Sequence, residues 1–399
     1  MKTVGITAEY NPFHRGHAYQ IAQARLVSGA EKVIAVMSGS FVQRGEPACA
    51  DKFTRAKWAL DGGADMVIEL PEVFSLSCAE RFASGAVRIL AGTGLVDSIC
   101  FGSETGDTDA IRGLARAERD TEKLSAALSA GLSYPAALAD SMGSALSPND
   151  ILGVEYVRAV DRYAPQMEVF SVKRSGGGYS DEELCEGFSS ASAIRRALDP
   201  KNGEPDARTL ALLKGALPEG VLDDLIAARA DGKIVPSADT LSAPVLCRFR
   251  TMTSEEAAML PEASEGLENL FVEGALKASD LYGLLSYVKS KRYTMARLKR
   301  IAMNALLGID AELQKNASED DRYLYISVLG VRQDSSGLLA ELKANARLPV
   351  IIQASDRNGL CDEARRVARI SAAAHAIRAL GCSSDRSVVP DHSHKLIVR

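Results

Sequence analysis

The chain has 399 residues, of which 46% are hydrophobic and 25% charged, and this balance indicates a folded protein of two or three domains. Its net charge of −5 argues against generic nucleic-acid binding, so any site for a polyanion is expected to be a local patch. Seven cysteines without a Cys-x-x-Cys pair, and no apolar run near the roughly twenty residues of a membrane span, favour a cytoplasmic protein without disulfides, a zinc site or a membrane anchor.

The first predicted elements are a strand and a helix joined by an unusual loop. Lys2 to Glu9 is a short apolar, β-branched run typical of a strand, and Gly16 to Val27 has apolar residues at helical spacing. The loop NPFHRGH therefore lies at a strand-to-helix junction, where free amide groups and the helix dipole favour phosphate. Gly16 removes a side chain where a ligand must approach the backbone, and His14 and His17 both reach a group held there.

Two imidazoles at a phosphate site suit attack on the α-phosphate of a nucleoside triphosphate. Negative charge builds on the phosphate oxygens and on the departing pyrophosphate, and N–H donors aimed at those oxygens lower the barrier. The alternatives are a pair of surface histidines, a coincidence among the five histidines of the chain, or two metal ligands. No cluster of Cys, Asp or Glu with ligand spacing lies nearby, and no metal site is predicted.

Four more strands, separated by helices, follow this loop. The strands are Lys32 to Ser38, Asp65 to Leu70, Val96 to Phe101 and Met167 to Val172, and the helices are Lys52 to Leu60, Ser77 to Leu90, Asp107 to Ser129 and Ile151 to Tyr163. Connections long enough for right-handed crossovers predict an α/β fold with a Rossmann-like, doubly wound, parallel five-stranded core. Ligands bind at the carboxyl ends of such strands, so Gln43 and Arg44 are expected to face the site, with a solvated Arg44 as the alternative.

Two turns near the carboxyl ends of these strands are further candidates. The fourth strand runs into Gly102, where a bare glycine allows close approach to the backbone, although a plain turn is the alternative. Asn149 precedes a helix and is a natural N-cap. Arg174 follows the fifth strand directly.

A second motif, SSASAIRR from Ser189 to Arg196, follows the glycine-rich loop Ser175 to Tyr179. Hydroxyl groups and free amides at a helix start, with an arginine one turn later, form a clamp for the β- and γ-phosphates. The candidates are Ser190, Ser192 and Arg195. Taken alone, the motif is most simply a serine N-cap before an exposed helix. Its occurrence with the first motif in the same predicted core favours the phosphate clamp instead. The glycine-rich loop before it supplies mobility, so that the clamp can close on ATP.

The motifs also carry a resemblance to a known family. NPFHRGH resembles the HxGH signature of the HIGH-type nucleotidyltransferases, and GITAEYNPFHRGHAYQ, VMSGSFVQRGEPA and SPNDILGVEYV closely resemble the tRNA(Met) cytidine acetate ligase family. The resemblance runs over most of the chain and implies a HUP-type fold. It also implies that acetate is activated by ATP as acetyl-adenylate and transferred to N4 of the wobble cytidine of elongator tRNA(Met), with Mg²⁺ accompanying the triphosphate.

The same resemblance implies roles for particular residues. The catalytic residues are His14, His17, Ser192 and Arg195. The ATP-binding residues are those of the first loop and four positions further along the chain: Thr7, Ala8, Glu9, Tyr10, Asn11, Pro12, Phe13, His14, Gly16, His17, Gly102, Asn149, Arg174 and Ser190.

Beyond Leu198 a linker-like stretch leads into mainly helical segments. The stretch Leu281 to Ile309 has no acidic residue but has six basic ones: Lys289, Lys291, Arg292, Arg297, Lys299 and Arg300. With Tyr287 and Tyr293 interleaved, these residues predict a basic amphipathic helix that binds RNA phosphates and stacks on unpaired bases. A solvated helix face is the ordinary alternative.

Three domains are therefore predicted: a catalytic core at 1–198, a basic helical RNA-binding region at 199–310, and a small α/β element at 311–399. The tail with His392 and His394 is expected to be a flexible end. Two other functions compete with the ligase. One is a nucleotidyltransferase that acts on a small phosphorylated coenzyme precursor, which would need the core alone; the other is a non-catalytic RNA-binding protein that retains a nucleotide fold.

Overall fold

The computed structural model describes residues 2–117, 123, 147–174, 183–384 and 386–399. The strands within these ranges are β1 (Thr3–Ala8), β2 (Lys32–Ser38), β3 (Phe41–Val42), β4 (Glu46–Pro47), β5 (Met66–Leu70), β6 (Ser98–Ser103), β7 (Glu168–Lys173), β8 (Ile326–Val331), β9 (Val350–Ile351) and β10 (Ile397–Val398). Eight of them form one sheet in the order β10, β8, β5, β2, β1, β6, β7, with β9 also paired to β8, while β3 and β4 form a separate hairpin.

Five strands of this sheet form the parallel core that the sequence predicts. β1 lies in the middle between β2 and β6, and β5 and β7 continue on either side. β2 is buried from Val33 to Ser38, as expected for a strand covered by helices on both faces. Ile6 lies opposite both Ala35 and Cys100, so the carboxyl ends of β1, β2 and β6 meet at one edge of the sheet.

The helices within the described ranges follow the predicted alternation in the core and then dominate the chain. They are α1 (Arg15–Ser28), α2 (Lys52–Asp61), α3 (Glu72–Ser75), α4 (Ala79–Gly92), α5 (Thr108–Arg116), α6 (Pro148–Tyr163), α7 (Ala191–Leu198), α8 (Ala207–Ala216), α9 (Glu219–Ala230), α10 (Ser242–Thr251), α11 (Ser254–Ala258), α12 (Leu267–Lys277), α13 (Leu281–Val288), α14 (Met295–Leu307), α15 (Ala311–Glu319), α16 (Gly337–Asn345) and α17 (Asp362–Ala379). Within these ranges, no helix is both long and apolar enough to cross a bilayer. All seven cysteines are free thiols.

Two of the predicted segments fall partly or wholly outside the described residues. The predicted helix Asp107 to Ser129 begins as α5, and beyond 117 only residue 123 of it is described. The glycine-rich loop Ser175 to Tyr179 lies entirely outside.

The C-terminal segment completes the N-terminal sheet. β8 pairs antiparallel with β5, with Gly330 opposite Val67, and β9 and β10 pair parallel with β8. The strands of residues 311–399, the predicted small α/β element, all belong to the core sheet.

The expectation of a flexible tail is wrong, because the tail is tied to the core by buried charges. Asp391 is 7% exposed and forms ion pairs with Lys52, at 2.5 Å, and with Arg357. The Lys52 ammonium group also contacts Glu69 at 2.6 Å, and both of these side chains are almost fully buried. His394 stacks on the ring of Phe53, with 3.7 Å between ring centroids.

The helical region packs against the core at the β3–β4 hairpin. α14 contacts α10, α13 and α17 and also touches β4. Its apolar side, including Leu298 and Ile301, is completely buried. The hairpin follows β2, so it lies between the helical region and the carboxyl edge of the sheet.

Candidate active site

The loop between β1 and α1 is anchored by buried side chains and by a hydrogen bond to a distant part of the chain. Tyr10 has a left-handed backbone (φ 48°), and its side chain and that of Phe13 are buried. The Asn11 side-chain oxygen accepts a hydrogen bond from the Cys49 amide at 2.7 Å. These contacts fix the loop so that His14 is the N-cap of α1.

The two histidines of the loop form a stacked pair. Their ring centroids lie 3.7 Å apart with 19° between the ring planes. The backbone N–H of His14 donates to Nδ1 of His17 at 3.2 Å. A neutral imidazole that accepts at Nδ1 carries its proton on Nε2, so His17 presents an Nε2–H donor.

Both imidazoles are neutral around pH 7. Burial, with a smaller effect from the Arg174 guanidinium, lowers the pKa of His14 from 6.5 to about 3. Burial also lowers the pKa of His17 well below its usual value, and His14 and Arg174 act in the same direction. The pair is therefore suited to donating hydrogen bonds to phosphate oxygens without itself titrating in the physiological range.

The depressed pKa of His14 predicts a pH dependence of stability. Between pH 3 and 6.5 the unfolded chain binds a proton at His14 that the folded protein does not, so the free energy of unfolding falls as pH falls through this window. The contribution of this one histidine at pH 5, relative to pH 7.5, is roughly 2 kcal/mol. In denaturant titrations at these two pH values, His14→Gln should reduce the difference in unfolding free energy by that amount. An unchanged difference would contradict a neutral, buried His14.

The second motif meets the first. Ser190 is the N-cap of α7, and its hydroxyl oxygen accepts from the Ala193 amide at 3.1 Å. One turn later, the Arg195 guanidinium donates to the backbone oxygen of Asn11 at 2.6 Å. Ser192 lies between them on the same helix end. The predicted clamp and the predicted histidine site are thus one site, joined directly by Arg195.

A third part of the site lies at the ends of β6 and β7. The bare backbone of Gly102 lines the cleft, and an added Cβ there would lie 3.5 Å from the Arg174 side chain. Asn149 is not the N-cap of α6, as the sequence suggested; Ser147 is, and Pro148 occupies the first helical position. The Asn149 amide group instead donates to Glu104, whose carboxylate lies 4.0 Å from Arg174.

These parts line one cleft of about 1160 Å³, measured with its open mouth. The predicted residues that line it are Thr7, Ala8, Glu9, Asn11, His14, His17, Gly102, Asn149, Arg174, Ser190, Ser192 and Arg195. Gly16 lines a smaller adjoining pocket. The side chains of Tyr10, Pro12 and Phe13 are buried beneath the loop and support it from outside the cleft.

Gln43 and Arg44 of the β3–β4 hairpin line the cleft as predicted. Sequence reasoning missed other lining residues, among them Gln20, Glu46, Phe82, Leu152 and Tyr156. Gln20 was detectable, since it lies one turn after His17 on α1. The others come from the hairpin or from helices whose patterns give no sign of a ligand.

The basic segment is not the single amphipathic helix that the sequence suggested. α13 ends at Val288 and α14 begins at Met295, so Lys289, Lys291 and Arg292 lie in the loop between the two helices. These three side chains are exposed, and Arg292 forms an ion pair with Glu265 at 2.7 Å. Tyr287 is also exposed, but the Lys277 ammonium group lies over its ring, 4.8 Å from the ring centroid.

The remaining basic residues of this segment are engaged within the protein. Arg300 is 7% exposed and makes two hydrogen bonds to the Glu262 carboxylate, at 2.8 and 2.9 Å. Arg297 donates to the backbone oxygen of Glu262, and Lys299 forms an ion pair with Glu46 of the hairpin. Tyr293 is buried. Of the six basic residues predicted to bind RNA, only the three in the loop after α13 are exposed, and the Arg300 guanidinium group is held by Glu262.

Comparison with known proteins identifies related chains over most of the length. The family model described as HIGH Nucleotidyl Transferase matches residues 1–386. A tRNA(Met) cytidine acetate ligase of Acetivibrio thermocellus is 36% identical over 378 residues, which cover 91% of this chain and 90% of the relative. One of Fervidobacterium nodosum is 34% identical over 379 residues, covering 92% and 87% of the two chains.

Solved structures show the same architecture. Thermotoga maritima TmcAL bound with alpha-thio ATP superposes with a TM-score of 0.89 at 29% sequence identity, covering 100% of this chain and 99% of that one. The apo form of the same protein gives a TM-score of 0.91 at 30% identity with the same coverage.

Proposed function

This chain belongs to the tRNA(Met) cytidine acetate ligase family of HIGH nucleotidyl transferases, and we infer that it is an ATP-dependent ligase that acetylates a cytidine of tRNA(Met). The observation in its own structure that best supports this inference is the stacked neutral pair of His14 and His17, in one cleft with Ser190 and Arg195. Relatives named as ligases match about nine-tenths of the chain, which favours this function over nucleotidyl transfer to a small coenzyme precursor.

In the first step, an oxygen of acetate attacks the α-phosphorus of ATP and pyrophosphate leaves. The attack places negative charge on the oxygens around that phosphorus, where a preorganised donor such as Nε2–H of His17 stabilises it. Arg195 with Ser190 and Ser192 holds the distal phosphates, and Gly102, Asn149 and Arg174 position the nucleoside. The product is acetyl-adenylate, a far better acyl donor than acetate.

We propose that Mg²⁺ enters together with the triphosphate. No group of three or more His, Cys, Asp or Glu side chains suited to hold a metal ion occurs in the described part of the chain. Phosphate oxygens and water would then supply most of its ligands, as is usual for this ion.

In the second step, the acetyl group passes to N4 of the wobble cytidine of elongator tRNA(Met), and AMP leaves. Incubation with ATP, labelled acetate and total cellular tRNA tests the whole proposal, because digestion of the RNA identifies the nucleoside that carries the label. Label in N4-acetylcytidine of tRNA(Met) is expected, whereas label in no nucleoside would contradict the proposed function. Since this substrate is a tRNA, we place the reaction in the cytoplasm.

The loop after α13 supplies a test of RNA binding. Lys289→Ala and Lys291→Ala should each weaken tRNA binding, and each should reduce the slope of log K against log salt concentration by about 1, since a phosphate contact is lost. Lys343→Ala, which removes an equally exposed lysine on α16, is the matched control and should leave the slope unaltered. Equal slopes for all three variants would remove the loop from the RNA surface.

A further inference from the structure

The two steps of the proposed reaction differ in their need for a base. Acetate reacts as an anion, so the formation of acetyl-adenylate requires no proton acceptor. The exocyclic amino group of cytidine is conjugated with the ring and is only weakly basic, so it must lose a proton as its nitrogen attacks the acyl carbon. A positioned general base would accelerate this second step.

Four side chains among the described lining residues of the cleft are candidate proton acceptors. His14 and His17 are poor bases, because burial lowers both pKa values far below neutrality, and the neutral pair is positioned to donate. Glu46 has both carboxylate oxygens engaged, one by the Lys299 ammonium group and the other by the Ala238 amide at 2.7 Å. Glu9 is the remaining candidate.

Glu9 is held in a defined orientation but remains in contact with the cleft. Its Oε1 accepts a hydrogen bond from the Gln43 amide at 2.8 Å, and the side chain lines the cleft in a half-buried position. Burial raises its pKa above the ordinary value of 4.5, even though the Gln43 amide and the guanidinium groups of Arg44 and Arg195 act in the opposite direction. A carboxylate in such a place is a stronger base than one in water.

Glu9 directly follows the central strand β1, and the hydrogen bond from the Gln43 amide ties its carboxylate to the β3–β4 hairpin. β1, which leads to Glu9 and the histidines, lies between β2 and β6. On one side of β1, Gly102 lies near the carboxyl end of β6. On the other side, the β3–β4 hairpin follows β2 and holds Glu9 through the Gln43 amide. The acyl group on the α-phosphate would lie between these sides.

The hairpin side of the cleft also borders the helical region. Gly45 has φ 74°, and an added Cβ there would lie 2.5 Å from the Arg300 backbone nitrogen, so the hairpin rests directly on α14. Arg300 also donates to the Gln43 backbone oxygen at 3.4 Å. An RNA bound at the loop before α14 would approach the cleft from this side, where Glu9 lies.

We propose that Glu9 is the general base of the acyl transfer, an inference that rests on the proposed function. The lone pair of cytidine N4 forms a bond to the acyl carbon, the bond from that carbon to the phosphate oxygen breaks, and its electron pair leaves with AMP. One N4 proton passes to the Glu9 carboxylate and then to water. Glu9 is thereby assigned to the acceptor rather than to ATP.

The test compares the two steps in Glu9→Gln. Glutamine keeps an oxygen that accepts a hydrogen bond from the Gln43 amide, but its side chain cannot take a proton near neutral pH. Single-turnover transfer from preformed, labelled acetyl-adenylate to tRNA should slow by about 10²- to 10⁴-fold. Acetate-dependent exchange of labelled pyrophosphate into ATP should fall at least tenfold less than transfer. Glu9→Asp, which retains a carboxylate, should recover part of the transfer rate.

Glu46→Gln is the matched control on the same side of the cleft, and it should show no selective loss of transfer. Equal losses of exchange and transfer in Glu9→Gln would assign Glu9 to nucleotide binding and overturn the proposal. Transfer at the wild-type rate would also overturn it, leaving the departing phosphate or water as the proton acceptor. Absence of exchange in the wild-type protein is a separate result, because it would overturn the proposed function itself.

Discussion

His17→Ala is expected to slow acetate-dependent exchange of pyrophosphate into ATP by about 10²- to 10³-fold, the usual cost of removing one preorganised donor from a developing oxyanion. The structure fixes this donor unusually well. Nδ1 of His17 accepts from the His14 backbone, so the proton is on Nε2, and the stacked ring of His14 limits rotation of the imidazole. The loss should appear mainly in kcat, because the hydrogen bond strengthens as charge develops in the transition state.

His392→Ala is the matched control for this change. His392 is exposed in the tail, so its replacement removes an imidazole without touching the cleft. Exchange by this variant should be normal. A His17→Ala protein that is folded and exchanges at the wild-type rate would deny His17 its role at the α-phosphate.

Arg300→Glu is expected to destabilise the fold severely. The substitution removes the two hydrogen bonds to Glu262 and places a second carboxylate against it in a largely buried position. Loss of one partner of such a pair typically costs about 3–5 kcal/mol, and repulsion between the carboxylates adds to this. Denaturant unfolding should show this loss, and the expressed protein should be largely insoluble or unfolded.

Lys291→Glu is the corresponding control, since it reverses a charge on the same segment at an exposed position. Its stability should lie within about 0.5 kcal/mol of the wild type. Equal stability of the two variants would mean that the Arg300–Glu262 pair contributes little. Charge reversal at Arg300 is consequently no test of RNA binding, whereas charge reversal in the exposed loop is.

The core strands were predictable because of their burial. A parallel strand covered on both faces is apolar at successive positions, and the predicted strand Lys32 to Ser38 coincides with β2. The other four core strands agree with their predictions within two residues at each end. The hairpin β3–β4 was not predicted, since two strands of two residues each, with Gly45 between them and Pro47 in the second, carry no periodic signal.

The contacts between distant segments were not predictable from local patterns. Residues 311–399 were predicted as a small α/β element, but nothing in the sequence of β8 indicates antiparallel pairing with β5. Asp391 gives no sign in the sequence that it is buried against Lys52, 339 positions earlier in the chain. The prediction of an exposed basic face was wrong for the same reason. A run without acidic residues suggests such a face, yet Glu262 pairs with Arg300 and Glu46 pairs with Lys299, and both carboxylates lie far away in the sequence.

The two motifs of the candidate site were predictable from the sequence, but the contacts that join them were not. HxGH and SSASAIRR each contain residues whose chemistry suits phosphate, and Arg195 joins them through Asn11. The hydrogen bond from Gln43 to Glu9, which suggests a separate base for the second step, depends on how the hairpin folds back over β1. The roles assigned to these residues stay predictions until the two half-reactions are measured.

Exchange of labelled pyrophosphate into ATP by the wild-type protein, without RNA and with or without acetate, tests most directly whether the cleft around His14 and His17 activates a carboxylate. We predict rapid exchange that requires acetate. Failure of a folded preparation to exchange with acetate present, or exchange at the same rate without it, would contradict the account.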